Sequence, residues 1–161
     1  MARKPIVIGC DNAAVELKNV LIGVLKEEGR TFESVGVDSA EDQTGYPVIA
    51  QRVADKIIAS NYDKEGILVC GTGIGMAITA NKFPGIYAAV CHDSYSAERA
   101  RLSNNSNVFC MGARIIGPEL AKKILREWLS LEFKGGRSLS KIETIIAIEK
   151  ANYAKASSAK A

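Results

Sequence analysis

Residues 70–75 read Cys-Gly-Thr-Gly-Ile-Gly, a thiol, a hydroxyl and three glycines in six positions. They follow the apolar run Gly66-Ile67-Leu68-Val69 and precede Met76-Ala77-Ile78-Thr79-Ala80, which reads as a strand turning through a loop into a helix. Glycines let a ligand come up against the backbone. Amides at a helix start, with the positive end of the helix dipole, hold an anion without any basic side chain. A thiol in that field is a candidate thiolate. With Thr72 beside it, the loop either carries chemistry on Cys70 or only binds. The anion would be a phosphate, a carboxylate or an enediolate. The other cysteines, Cys10, Cys91 and Cys110, also close apolar runs but lack the glycines, and each reads as a small buried hydrophobe.

Such a loop needs a scaffold. Short β-rich runs near 5–10, 31–37, 65–70, 86–91 and 107–111 alternate with helical patterns near 13–28, 47–60, 74–82, 95–103 and 118–132. This alternation predicts an α/β fold, a five-stranded parallel sheet with helices on both faces. Leu17, Val20, Leu21, Val24 and Leu25 repeat at helical spacing before Gly29, and Pro47 and Pro118 suit first turns. In an open parallel sheet, ligands collect at the carboxyl ends of the strands. There the sequence places Asp11 and Asn12, the glycine loop, His92 with Asp93, and Arg114. After the flexible corner 134–137, a further helix near 138–153 carries Ile142, Ile145, Ile146 and Ile148 with no strand of its own to cover, so its stripe is expected to meet a partner chain. One domain over 1–153 is expected, with a frayed tail over 154–161.

Composition limits the function. The chain has 161 residues, 47% hydrophobic and 24% charged, with a formal net charge of +3 from scattered Lys and Arg, so no nucleic-acid stripe or membrane-binding helix is expected. The start reads too short in apolar residues for a signal peptide, and no later run reaches transmembrane length. Four cysteines without C-x-x-C pairs or zinc spacing suit a reduced, cytoplasmic protein without a metal site. The glycines do not match the nucleotide motifs: a dinucleotide fingerprint is G-x-G-x-x-G after the first strand, and a P-loop needs Gly-Lys-Ser/Thr where this chain has Gly75-Met76.

The segments "IGCD", Gly45-Tyr46-Pro47, "ILVCGTGIGMAITANKFPGI", "YSAERARLSNNSNV", "MGARIIGPELAKKI" and "FKGGR" together resemble the ribose-5-phosphate isomerase B / galactose-6-phosphate isomerase family over nearly the whole chain. That resemblance implies a three-layer αβα Rossmann-like sandwich with an extra C-terminal helix. It also implies a homodimer with sites across the interface, possible dimers of dimers, and cofactor-free and metal-free aldose–ketose isomerisation of a phosphorylated sugar. By position it makes Cys70 the base, with Thr72 moving protons at O1 and O2. Gly71, Gly73, Ile74, Gly75 and Asn81 fall in the substrate-binding block. Asp11 and Asn12 would hold sugar hydroxyls and Tyr46 would line the pocket. Asn104 and Arg114 would reach the site, and Arg137 and Lys141 would take the phosphate. Backbone amides facing an enediolate are worth about 2.7–4 kcal/mol per donor.

Departures from the family pattern fall on ring opening and on the phosphate site. Asn12 and Ser103 stand where many members have histidine, and Lys141 stands for a common arginine. The single histidine, His92, is then the candidate acid/base on the ligand rim. Ribose 5-phosphate is the expected substrate. Erythrose 4-phosphate is the alternative, because its terminal oxygen is esterified and it cannot close a furanose ring that would need a histidine to open. A non-catalytic sugar-phosphate or nucleotide-binding module is the alternative of another class, since a binding loop needs the glycines but neither the thiol nor the hydroxyl.

Overall fold

The structure, a computed structural model, describes residues 3–158. The chain runs β1 (Ile6–Cys10), α1 (Val15–Glu27), β2 (Phe32–Ser34), α2 (Tyr46–Ala59), β3 (Glu65–Cys70), α3 (Ile74–Ala80), β4 (Ala88–Val90), α4 (Ser94–Leu102), β5 (Val108–Gly112), α5 (Pro118–Ser130), a 3-10 turn (Gly136–Ser138) and α6 (Leu139–Ser158). All strand pairings are parallel, in the order β2-β1-β3-β5-β4. α1 and α4 both pack against α5, while α2 packs against α3. The five-stranded α/β sandwich expected from the alternation is therefore present.

The central strands explain why their sequences read as unbroken apolar runs. Every residue of β1, β3 and β5 is buried, because helices cover both faces. The flanking strands β2 and β4 have one neighbour each and are only three residues long. The ladder beside β2 continues past its end, as the amides of Val35 and Val37 donate to the carbonyls of Ile8 and Cys10 at 2.9 and 3.0 Å. Phe109 of β5 and Trp128 of α5 meet with ring centroids 5.4 Å apart, joining sheet and helix layer.

Strand order fixes where a ligand sits. From β1 the chain moves outward to β2, then returns to add β3 on the other side of β1, so the loops leaving β1 and β3 diverge and open a crevice between them. The register pairs Cys10 with Val69 and Cys70 with Gly112, which brings Asp11, Cys70 and the loop carrying Arg114 side by side at one edge.

α6 differs from its expected extent. It runs to Ser158 rather than ending near 153, so residues 154–158 of the expected tail are helical and 159–161 lie outside the described residues. Ile142 is its only buried residue, and Ile145 and Ile148 are exposed. Polar contacts attach the helix instead: Glu149 accepts from the Gly85 amide at 3.0 Å and the Tyr87 hydroxyl at 3.3 Å, and the Tyr153 hydroxyl donates to the carbonyl of Lys82. Among the described residues no helix is long and apolar enough to cross a membrane, and no group of three or more His, Cys, Asp or Glu is placed to hold a metal ion.

Candidate active site

At the crevice between the β1 and β3 loops lies a cavity of about 580 Å³, lined by Asp11, Asn12, Tyr46, Cys70, Thr72, Arg114 and the backbone of the glycine loop. β3 delivers Cys70 buried at its last position, and the chain turns at Gly73, whose φ of 79° is the left-handed conformation open to glycine. A Cβ there would also stand 2.9 Å from the Met111 backbone. At Gly112 a Cβ would meet the Cα of Thr72 at 2.5 Å, so the β3 and β5 loops touch backbone to backbone. A Cβ on Gly75 would strike the Tyr46 ring at 2.5 Å, and Gly71 faces the Arg114 side chain at 3.5 Å. The glycines thus bring Thr72, Arg114 and Tyr46 onto the loop, a packing role alongside any approach of a ligand.

The polar groups are already oriented. The Gly73 amide donates to Cys70 Sγ at 3.1 Å, and the Ile74 amide donates to Thr72 Oγ1 at 3.3 Å. Of the loop amides expected to face an oxyanion, those of Gly71, Thr72 and Gly75 remain, none with a protein acceptor among the described residues. Asp11 accepts the Ala13 amide at 3.1 Å in a tight turn, and α1 is capped at Ala14 with no side chain, so Asp11 is not the helix cap. Burial raises the Asp11 carboxyl, while the Ala13 amide and the Arg114 charge pull it down. Among the other thiols, burial pushes Cys10 up to about 11 and Cys91 to about 12, and Cys110, fully buried, well above the ordinary thiol range. These three stay protonated at neutral pH.

Several expected residues lie elsewhere. Asn81 donates to the Ala88 carbonyl at 2.9 Å and accepts its amide at 2.7 Å, so its side chain is spent on the edge of β4 rather than on a ligand. Asn81 and Asn104 line a different cavity, of about 470 Å³, beside β4. Ser103 ends α4, its hydroxyl accepting from Arg99 at 3.4 Å. Arg137, in the 3-10 turn before α6, and Lys141, in its first turn, are exposed. Conversely, Ile78 lines the cavity although the sequence reading gave it no role; it follows Ile74 by one helical turn, which could have flagged it.

His92, read from the sequence as an acid/base, is engaged here as an anchor. Its Nε2 accepts the Gly112 amide at 2.8 Å, fixing the β5 loop, and it does not line the Cys70 cavity. Burial lowers its pKa from 6.5 against the pull of Asp93. Because the folded protein holds His92 neutral, the unfolded chain takes up this proton first as pH falls. Its contribution to stability is complete above 6.5 and is lost progressively below. NMR titration of this single histidine is expected to give a midpoint below 6.5, and burial has no such effect if the midpoint is at or above that value.

With this geometry in view, comparison with known proteins is decisive for the class. The family described as Ribose/Galactose Isomerase matches residues 6–145, and the chain belongs to it. Among its relatives, the D-erythrulose-4-phosphate isomerase of Pectobacterium atrosepticum is 50% identical over 87% of this chain and 91% of the relative. The Ribose-5-P isomerase B of Listeria innocua is also 50% identical, over 91% of this chain and 98% of the relative. The crystal structure of ribose-5-phosphate isomerase B from Mycoplasma genitalium with bound ribulose-5-phosphate superposes with a TM-score of 0.86 at 34% identity, covering 91% of this chain and 96% of that one.

Proposed function

We propose that this protein interconverts the aldose and ketose forms of a sugar phosphate by proton transfer alone, ribose 5-phosphate to ribulose 5-phosphate. The observation that carries this reading is a thiol held by a backbone amide in a cavity that also presents Thr72, Asp11 and unoccupied loop amides. In the proposed reaction Cys70 takes the proton from C2 of the aldose, and the electron pair forms the C1–C2 double bond as negative charge gathers on O1. The amides of Gly71, Thr72 and Gly75 face that charge. Thr72, whose oxygen accepts the Ile74 amide and whose hydrogen stays free, passes a proton between O1 and O2. Return of the Cys70 proton to C1 completes the ketose. Incubation with ribose 5-phosphate in D₂O is expected to place deuterium at the transferred carbon, whereas a binding module would hold the sugar without exchange.

A tetrose phosphate is the second reading. It is supported by the 50% identity to a D-erythrulose-4-phosphate isomerase and by Ser103 at a position where the family resemblance expects a ring-opening histidine. On this reading kcat/KM for erythrose 4-phosphate exceeds that for ribose 5-phosphate by at least about tenfold, roughly 1.4 kcal/mol. Higher kcat/KM for the pentose rejects it.

The site is proposed to be shared by two chains. Asn104, Arg137 and Lys141 lie outside the Cys70 cavity of their own chain, and α6 exposes Ile145 and Ile148, a face suited to a second copy. Mixing Cys70→Ala with Asn104→Ala protein is expected to regain activity through hybrid dimers carrying one intact site. No recovery after verified subunit exchange argues for a site within one chain. Four free thiols fit the cytoplasmic setting proposed for the enzyme.

A further inference from the structure

The largest cavity described here, about 680 Å³, lies at the opposite end of the sheet from Cys70. Glu65 and Cys70 are the first and last residues of β3, so the two sites are separated by roughly 16 Å of strand. Four cations line the cavity, Arg3, Lys4, Arg30 and Arg101, against the carboxylates of Asp63, Glu65 and Glu132. At its floor two buried guanidiniums share one buried carboxylate. Arg101 pairs closely with Glu65, while Arg30 stands 3.9 Å from it, a long contact.

The donors of these guanidiniums are unequally used. Arg101 is committed: it donates to the carbonyls of Leu131 and Ser106 as well as to Glu65, and its plane lies 4.5 Å from the centre of the Trp128 ring. Arg30 donates to the carbonyls of Leu129 and Lys4, and among the described residues its buried Nε–H has no acceptor. The side chain is 4% exposed, so its charge is held with fewer compensating bonds than that of Arg101. Burial lowers the Arg30 pKa, Glu65 and Glu28 oppose this, and the charges of Arg3 and Arg101 lower it further.

We propose that this cavity is an anion site, taking the phosphate or carboxylate group of a metabolite-sized molecule between Arg30 and Arg3, distinct from the sugar-phosphate site. Guanidiniums match either oxyanion through paired N–H groups, and the volume suits a small organic ligand rather than a bare ion. The cavity floor reaches α4 through Arg101, so occupancy bears on the helix that ends beside Asn104. The proposal is independent of which sugar the Cys70 site accepts.

Trp128 is the only tryptophan and lies against Arg101, which lines the cavity, so its fluorescence reports on the cavity through that side chain. Titration with inorganic phosphate and with citrate, against chloride at matched ionic strength, is expected to give a saturable change with at least one of the two. Arg3→Glu, at an exposed position, should weaken it by at least about tenfold. Arg30→Met, if folded by circular dichroism, should abolish it. Arg114→Ala, in the other cavity, should leave it intact. No saturable change beyond that of chloride, or a change lost in Arg114→Ala but kept in Arg3→Glu, overturns the proposal and leaves the cluster a structural clamp.

Discussion

Cys70→Ala protein is expected to fold and to lose about 10²–10⁴ of kcat, the range a positioned general base supplies. The thiol is 5% exposed and accepts one amide, so its removal costs about 1 kcal/mol of stability rather than the fold. Cys10→Ala and Cys91→Ala are the controls. Burial pushes those thiols up to about 11 and about 12, so neither offers a thiolate at neutral pH, and both variants should keep near-normal turnover. The checks are initial rates with sugar phosphate, deuterium incorporation from solvent, and urea unfolding on the same preparations. A Cys70→Ala enzyme within about tenfold of the parent removes Cys70 from the chemistry.

Gly73→Ala should be nearly as damaging, for a different reason. The backbone sits at φ 79°, where an L-residue carries strain of about 1–3 kcal/mol, and the new Cβ would meet the Met111 backbone at 2.9 Å. Neither neighbour is a flexible side chain, so the loop itself must move. The Gly73 amide would then leave Cys70 Sγ, and a displacement of about 1 Å at a reacting centre costs about 10²-fold in rate. Gly23→Ala offers the contrast: it lies within α1 with nothing within 4 Å of its Cβ, so it should stabilise by about 0.5–1 kcal/mol and leave catalysis unchanged. Thermal unfolding and kcat on the pair separate the two effects, and normal activity in Gly73→Ala would mean the loop geometry is not needed.

What the sequence revealed of this site follows from which interactions are local. The run from Ile67 to Ile86 announces strand, loop and helix because glycine positions and apolar spacing act over a few residues. The crevice does not show there, since it depends on β3 returning past β1 and on a register that sets Cys10 beside Val69. His92 illustrates the difference. Its place after an apolar run at the ligand rim made it look chemical, yet its ring nitrogen is spent on an amide 20 positions along the chain. Asn81 sits in the most recognisable block of the sequence but is engaged by Ala88, a partner set by how α3 ends against β4. Likewise, alternation predicted β4 over 86–91, but the observed strand spans only Ala88–Val90, because it has a partner on one side alone.

That one-sided strand bears on how the protein avoids open-ended sheet extension at high concentration. A sheet edge presents unpaired amides and carbonyls that template the addition of another strand, the first step toward fibrous association. Here the side-chain amide of Asn81 imitates a neighbouring backbone and occupies both outward-facing groups of Ala88. With only three residues in β4, little exposed ladder remains for an incoming chain to read. Asn81 therefore serves colloidal behaviour: Asn81→Ala should fold and turn over substrate yet aggregate more readily on heating, with light scattering rising before any loss of helical signal.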